Sequence, residues 1–213
     1  MDSLTGIFIT SFLIGLSGAL MPGPVLTVTI SQVAARGFLA GPLIVVGHGI
    51  LELTLVAAVA LGLGQIITHG PVIGTIAILG GLFLVYLGYG ILRSLGRLSF
   101  SLEKKDQGGR VLGHPVLAGL LTSLSNPYWT IWWATIGLGY IALSRKIGLL
   151  GLASFYSGHI LSDLSWYSFV ALALTWGRRL ITDRIYRGLL GLCGIFLVGF
   201  GLYFGYSGIQ MFR

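Results

Sequence analysis

Two pairs of ionisable residues have a spacing that suits chemistry inside a membrane. His48 precedes Glu52 by four residues, and His159 precedes Asp163 by the same interval. Residues four apart share one face of a helix, so each histidine should lie beside its carboxylate. A carboxylate inside an apolar span is costly and functional by default, and histidine gains and loses protons near neutral pH. A buried pair of this kind can share and pass on a proton, so these four are the predicted proton-coupling residues. The structural alternative is that each pair neutralises itself and only joins helices.

Proline interrupts two of the apolar stretches. The first contains Met-Pro-Gly-Pro at residues 21–24, and the fourth contains Ser-Asn-Pro at residues 125–127. Proline lacks an N–H and clashes with the preceding turn, while glycine permits almost any backbone angle. A helix broken at depth exposes a half-helix N-terminus, whose partial positive charge suits a carboxylate. The breaks and the aromatic residues after the second are therefore the predicted substrate-binding residues: Pro22, Gly23, Pro24, Asn126, Pro127, Tyr128 and Trp129.

Those aromatic residues continue beyond the second break. Trp129, Trp132 and Trp133 share one helical face, and they begin near the middle of a span rather than at its edge. An interfacial aromatic belt would account for them, and so would a pocket wall that stacks on a substrate amine. Both interpretations remain open from the sequence.

Composition decides the class of protein. Of 213 residues, 55% are hydrophobic and 9% are charged, whereas soluble domains carry about 25% charged residues. Most of the surface must face lipid, which excludes a soluble enzyme, a disulfide-rich secreted domain and a disordered chain. The single cysteine, Cys193, excludes an intramolecular disulfide. The net charge of +7 fits the basic cytoplasmic loops of membrane proteins, so no nucleic-acid partner is expected.

The elements that position these residues should be membrane-spanning helices, each about 20 apolar residues long. The sequence predicts six spans, at about 4–21 (continuing past the break towards 34), 40–66, 71–93, 114–141, 147–176 and 187–210. They divide into a first three-helix repeat at 1–94, a cytoplasmic linker at 95–112 and a second three-helix repeat at 113–213. Asp2 and the lack of a basic stretch before the first span predict no cleavable signal peptide.

Basic residues predict the orientation of the chain. Ten basic residues lie in the connections between spans on one side of the membrane: Arg36, Arg93, Arg97, Lys104, Lys105, Arg110, Arg178, Arg179, Arg184 and Arg187. Three lie on the other side, at Arg145, Lys146 and Arg213. Cytoplasmic loops collect Lys and Arg, so both termini should be outside the cell membrane if all six spans cross. A re-entrant first segment is the rival, with five crossings and the N-terminus inside.

The two halves share one pattern. Each has a broken helix, then a helix with histidine and a carboxylate four apart, then a plain apolar helix. Because three spans is an odd number, the second half must insert upside down relative to the first. This is the inverted-topology repeat of many secondary transporters, which bind substrate near the midplane at the repeat interface. The predicted fold class is an all-α membrane protein with six transmembrane helices in two inverted three-helix repeats, the first and fourth helices being broken.

The chain resembles the LysE/RhtB family of amino-acid exporters over essentially its whole length. The resemblance rests on Ser-Gly-Ala-Leu-Met-Pro-Gly-Pro at 17–24 and on Asn126-Pro127. It implies a bacterial or archaeal inner-membrane carrier that expels amino acids or related metabolites, driven by a proton or ion gradient, with both breaks as central unwound elements. Many members continue Asn-Pro with lysine, whereas Tyr128 and Trp129 follow here. Lysine is therefore not assumed to be the substrate.

Other functions stay open beside this one. Two histidines and two carboxylates are ligands that several transition metals accept, so a divalent-metal exporter using His48, Glu52, His159 and Asp163 is the alternative. A non-transporting scaffold would leave two costly carboxylates without a reason. No nucleophile–base arrangement is evident, so an enzyme and a cofactor are not expected. Small-residue spacings such as Gly37/Gly41 and Gly201/Gly205 allow close helix contact, either within one chain or in a homodimer.

Overall fold

The computed structural model describes residues 3–63, 70–97, 113–177 and 181–212, and it is helical without strands in these ranges. Most of the predicted linker lies outside the described residues, and with it Lys104, Lys105 and Arg110. Arg178, Arg179 and Arg213 lie outside them as well. The charge pattern of these segments therefore remains a sequence prediction.

Within the described residues, the first half has four long helices. They are α1 (Leu4–Ala19), α2 (Pro24–Arg36), α3 (Ala40–Ala58), which continues as a π-helical turn (Val59–Leu63), and α4 (Gly70–Ser94). In the second half the structure describes five helices, with a π-helical turn (Trp133–Gly137) between the second and third. They are α5 (Pro115–Leu124), α6 (Pro127–Trp132), α7 (Leu138–Arg145), α8 (Leu149–Trp176) and α9 (Asp183–Gln210).

Both predicted breaks coincide with helix boundaries. Between α1 and α2 the chain bends by 76°, and Gly23 is extended at φ −112° and ψ −170°. A residue that precedes proline is pushed out of the α region, and Pro24 then fits the first helical position, where no N–H is required. At the second break Asn126 is extended, Pro127 begins α6, and the Asn126 side chain accepts a hydrogen bond from the Tyr128 amide at 3.1 Å. The proline positions thus determine where each helix stops and restarts.

Among the described residues, three helical segments are long and apolar enough to cross a membrane: Ala40–Gly62, Gly70–Ser94 and Asp183–Gln210. The bent pair of α1 and α2 is a fourth if it counts as one span. Many large apolar side chains are exposed on these helices, among them Leu79 and Leu82 on α4 and Leu192 and Leu202 on α9. Such a surface is stable in contact with lipid, as expected of an integral membrane protein.

Helix packing crosses between the two halves. The most extensive contacts between helices join α1 to α8, α3 to α5, α4 to α9, and α3 to α8. At the start of α1, the Ser154 hydroxyl of α8 donates to the Leu4 carbonyl at 2.6 Å. At the start of α3, directly after α2, Gly41 lies against Tyr167 and Ala171 of α8. Ser154 and Ala171 are 17 residues apart in α8, about 26 Å at 1.5 Å per residue. The α1–α2 pair therefore extends along most of α8.

Glycines at seven-residue intervals join α4 to α9. Gly74 lies against Gly208, Gly81 against Gly201, and Gly88 against Gly194. A Cβ atom at Gly201 would lie 2.5 Å from the Gly81 carbonyl oxygen, a distance that real Cβ atoms do not reach. The spacing at Gly201 noted from the sequence thus serves contact within one chain.

A methyl group at this contact should separate the two helices. We expect Gly201→Ala to destabilise the protein by about 1–3 kcal/mol through overpacking, measured as thermal unfolding in detergent. Gly205→Ala is the matched control on the same helix, because a Cβ there meets nothing within 4 Å. Equal melting temperatures for the two variants would contradict the close α4–α9 contact.

Candidate functional site

Glu52 is the centre of a buried polar cluster between α3 and α8. Its side chain is 1% exposed. The Oε1 atom accepts hydrogen bonds from the indole N–H groups of Trp129 and Trp133, at 3.2 and 3.0 Å. The same atom lies 3.0 Å from Nε2 of His48 and 3.2 Å from Nε2 of His159. Since an indole N–H can only donate, Oε1 is an acceptor, as in an ionised carboxylate.

His48 is held in one orientation by a hydrogen-bonded chain to α5. The Ser123 hydroxyl donates its only proton to the Gly119 carbonyl at 2.7 Å. Its oxygen lies 2.6 Å from Nδ1 of His48 and must therefore accept a proton from that nitrogen. Nδ1 then carries hydrogen while Nε2 faces the acceptor oxygen of Glu52. This geometry favours an imidazolium that pairs with the Glu52 carboxylate.

His159 and Asp163 are bound less firmly. Nδ1 of His159 is buried without a hydrogen-bond partner among the described residues, so a neutral ring that donates from Nε2 to Glu52 satisfies the geometry. Asp163 is 5% exposed. Its Oδ2 lies 3.7 Å from Nε2 of His48 and 3.8 Å from Nε2 of His159, beyond hydrogen-bond reach. In the described part of the chain this oxygen makes no hydrogen bond.

The cluster can therefore hold and release a proton. The His48–Glu52 pair balances its own charge, and His159 adds none when its ring is in that neutral form. Asp163 is the member whose charge is not compensated by a hydrogen bond, so a proton or another cation on Asp163 would neutralise the buried group. A proton that arrives there has acceptors and donors within 4 Å on both helices. The arrangement suits transfer of charge between a bound cation and a proton.

A cavity of about 60 Å³ opens beside the cluster. Space of this size holds a few water molecules and is well below the about 150 Å³ of a cavity that binds benzene. Seven of the residues predicted from the sequence line it: His48, Glu52, Asn126, Tyr128, Trp129, His159 and Asp163. The four remaining predicted residues, Pro22, Gly23, Pro24 and Pro127, do not line it. They form the backbone at the two breaks instead.

Sequence reasoning did not assign several residues to this site. Trp132 and Trp133 line the cavity, and the helical spacing with Trp129 was the signal that pointed to them. Tyr167 lines it one turn beyond Asp163. Ser123 could not be identified, because a serine in an apolar helix usually bonds only to its own backbone. The contact with His48 depends on how α3 packs against α5.

The same cluster has the donor set of a metal site. One ligand atom from each of His48, Glu52 and Asp163 lies within 4.8 Å of the others, and all three residues are buried. Imidazole nitrogen and carboxylate oxygen suit several divalent transition metals. The hydrogen bond from Nδ1 of His48 to Ser123 is the kind of contact that orients a metal-binding histidine.

The sequence is similar to known bacterial proteins over nearly its whole length. Over 207 residues the chain is 28% identical to the Bacillus subtilis protein described as "Putative amino acid efflux protein YcgF", covering 96% of this chain and 97% of that protein. It is 26% identical over 198 residues to the "Chemotactic transduction protein ChpE" of Pseudomonas aeruginosa, covering 92% and 96%. No solved structure matches the chain at a significant level.

The family assignment comes from a match over most of the length. The family described as "LysE type translocator" matches residues 16–208, a range that includes both helix breaks and all four members of the buried cluster. The resemblance drawn from the proline motifs is thereby confirmed, and this chain belongs to the LysE type translocator family.

Proposed function

We propose that this protein is a secondary-active exporter of amino acids or related small metabolites, which exchanges its substrate for protons. The observation that carries the proposal is the convergence of four buried ionisable side chains from α3 and α8 on one cavity. A translocator has no structural need for such a cluster, because burying two carboxylates is costly. The relative described as an amino acid efflux protein supports the choice of substrate class.

Proton coupling follows from the unequal roles of the two carboxylates. Glu52 is fixed by two indoles and two imidazoles, whereas Asp163 faces the same histidines at longer distances. Glu52 therefore keeps the cluster in place, and Asp163 takes up the proton or the substrate amine. The buried charge of Asp163 can be neutralised by a proton or by the substrate amine, but not by both at once. The substrate therefore leaves when a proton arrives. This is antiport.

The packing supports an inverted repeat with six spans. In the proposed repeat, α1 corresponds to α5, α3 to α8 and α4 to α9. Exchanging the corresponding helices turns the α1–α8 contact into the α5–α3 contact, and it leaves the α4–α9 and α3–α8 contacts unchanged. The detail agrees: Gly47, before His48, lies against Val116 of α5, and Gly158, before His159, lies against Phe8 of α1. The length of α1–α2 along α8 favours a full crossing over re-entry. The cavity is too small for an amino acid, so we infer that the helices around it move when the site opens.

Efflux from cells tests the function. Cells with and without the protein are loaded with radiolabelled amino acids or with divalent metal ions, and the outward rate of each solute is compared. The proposal expects faster efflux of at least one amino acid. If every amino acid leaves at the same rate from cells with and without the protein, the proposal is contradicted.

The metal-exporter alternative is favoured by one observation, the ligand atoms of His48, Glu52 and Asp163 within 4.8 Å of one another. Equilibrium binding of Zn²⁺, Mn²⁺ and Co²⁺ to the purified protein separates the two functions. A metal exporter should bind one of these ions at a fixed stoichiometry, and Glu52→Gln should abolish that binding. The same ion should leave the cells faster in the efflux assay. An amino-acid exporter moves no metal.

We also propose a cell-membrane location with both termini outside. The contact of Arg36 with the Gly113 carbonyl at 3.0 Å fits two connections on one side of the membrane. The excess of basic residues in these connections supports the cytoplasm as that side. In a Cys193→Ala background, single cysteines at Lys104 or Arg184 should resist an impermeant thiol reagent in intact cells. A cysteine at Lys146, at the opposite side, should react. The reverse pattern of labelling would contradict the orientation.

A further inference from the structure

Helix α2 fills the space between the cavity and one side of the protein. Val25, in its first turn, lines the cavity, and Arg36 is its last residue. The two residues are 11 apart in the helix, about 16 Å at 1.5 Å per residue and roughly half of the ~30 Å hydrocarbon core. Nine of the 13 residues of α2 are buried, against seven of 25 in α4. It contacts α3, α5, α8 and α9, so it closes the cavity from that side.

Glycines at both ends allow α2 to turn as a rigid body. Gly23 is the extended residue at the 76° break before it. Gly37 follows it at φ +83°, a conformation that favours glycine, and a Cβ there would meet nothing within 4 Å. Hinges are typically a few residues at the ends of elements, which absorb large changes of dihedral angle. The helix can therefore change its tilt without losing its internal hydrogen bonds.

The far end of α2 is joined to the start of α5 by one backbone carbonyl. The Arg36 guanidinium donates to the Gly113 carbonyl at 3.0 Å, at an exposed position. Gly113 has φ +66°, which again favours glycine, and His114 after it caps α5. A hydrogen bond from a charged donor is stronger than a neutral one. This bond therefore stabilises the closed position of α2.

Gln32, one turn before Arg36, opposes the same closed position. Its side chain is 2% exposed. Nε2 lies 3.4 Å from the Gly113 carbonyl, longer than a good hydrogen bond, and Oε1 is buried without a partner among the described residues. A buried amide that is not satisfied costs free energy, which water would restore if α2 turned outward. The closed position is thus stabilised at Arg36 and destabilised at Gln32.

We propose that α2 is the cytoplasmic gate of the transporter. The Arg36–Gly113 hydrogen bond keeps it closed, and the buried Gln32 amide favours its opening. Two opposed contributions keep the free-energy difference between the states small, so both are populated. The proposal goes beyond the exporter function, because it names the helix that admits a solute from the cytoplasm. It rests on the proposed orientation of the membrane protein.

The rate of thiol modification inside the cavity tests the gate. The reporter is Val25→Cys in a Cys193→Ala background, treated with a small membrane-impermeant methanethiosulfonate in inside-out and in right-side-out vesicles. Val25 is 6% exposed, so the reagent reaches it only when the protein opens. Ala19→Cys is the second reporter, because Ala19 lines the same cavity but belongs to α1.

Two variants should change this rate in opposite directions. Arg36→Ala should raise the rate from the cytoplasmic face at least about threefold, since it removes the charge-assisted hydrogen bond of the closed position. Gln32→Leu should lower it at least about threefold, since leucine has a similar volume and no polar group to bury. Arg93→Ala is the matched control. It removes an exposed positive charge from the last turn of α4, on the same predicted side, and should leave the rate unchanged.

Several results would overturn the proposal. An unchanged rate in Arg36→Ala, or an equal rise from both faces, would mean that this hydrogen bond does not hold a gate, since a loosened protein reacts from either side. An equal rise in Arg93→Ala would attribute the effect to charge alone. An unchanged or higher rate in Gln32→Leu would remove the opposing role of the amide. A rise from the outer face only would refute the cytoplasmic assignment. Because no transport is measured, failure of the gate leaves the exporter function to be decided by the efflux panel.

Discussion

Glu52→Gln and Asp163→Asn should each reduce efflux against a concentration gradient to background. Asp163→Asn keeps the shape of the carboxylate but cannot gain or lose a proton. Glu52→Gln keeps the shape as well but removes the negative charge that pairs with His48. Exchange of internal for external amino acid needs no net proton movement, so both variants should retain it. Asp163→Asn should retain it at higher substrate concentration, because an amide oxygen still accepts from an ammonium but carries no charge. Proteoliposomes loaded with labelled amino acid measure both activities.

The structural alternative predicts the opposite result for the same variants. If the cluster only joins α3 to α8, a neutral amide is cheaper to bury than a charge, so stability should hold or rise and uphill efflux should continue. Asp183→Asn is the control, since Asp183 begins α9 and its exposed side chain lies 4.0 Å from Arg187, outside the buried cluster. It should pump normally. Unchanged uphill efflux by both cluster variants would exclude their role in coupling.

The second large effect should come from the first break. The double variant Pro22→Ala/Pro24→Ala removes the two residues that keep Met21 and Gly23 out of helical geometry. An unbroken helix from Leu4 to Arg36 would lose the 76° bend and carry α2 away from α8. The protein should still insert, because its apolar length is unchanged, and transport should fall at least about tenfold.

The control for this variant is Pro71→Ala. Pro71 lies in the first turn of α4, exposed and far along the chain from both breaks. Proline is tolerated in a first turn, so its loss should change neither folding nor transport. Membrane insertion is followed by surface labelling and transport by efflux from cells. Normal transport by the double variant would mean that the prolines only kink the helix.

Local signals predicted more of this molecule than long-range ones. The positions of Pro24 and Pro127 determined where α2 and α6 begin, because proline geometry acts on its own neighbours. The four-residue spacing of His48 and Glu52 predicted their contact for the same reason. Both were available from the sequence alone.

Contacts between helices were harder to predict. The cross-pairing of His159 with Glu52 requires α3 to pack on α8, and no spacing within either helix indicates it. Of the residues predicted to bind substrate at the breaks, only Asn126, Tyr128 and Trp129 line the cavity. Glycine and proline act there through the backbone. The crossing count and the inverted repeat remain predictions, since α5–α7 is divided into short segments.

The central claim is that a proton and an amino acid exchange through one buried cluster. The most direct measurement uses the purified protein in proteoliposomes that are acidic inside, with an amino acid found by the efflux panel and a pH-sensitive dye trapped in the lumen. The account predicts that the gradient drives the amino acid inward above its external concentration, that the lumen becomes more alkaline as it enters, and that a protonophore abolishes both. Accumulation without a change of luminal pH, or equilibration that ignores the gradient, would contradict it.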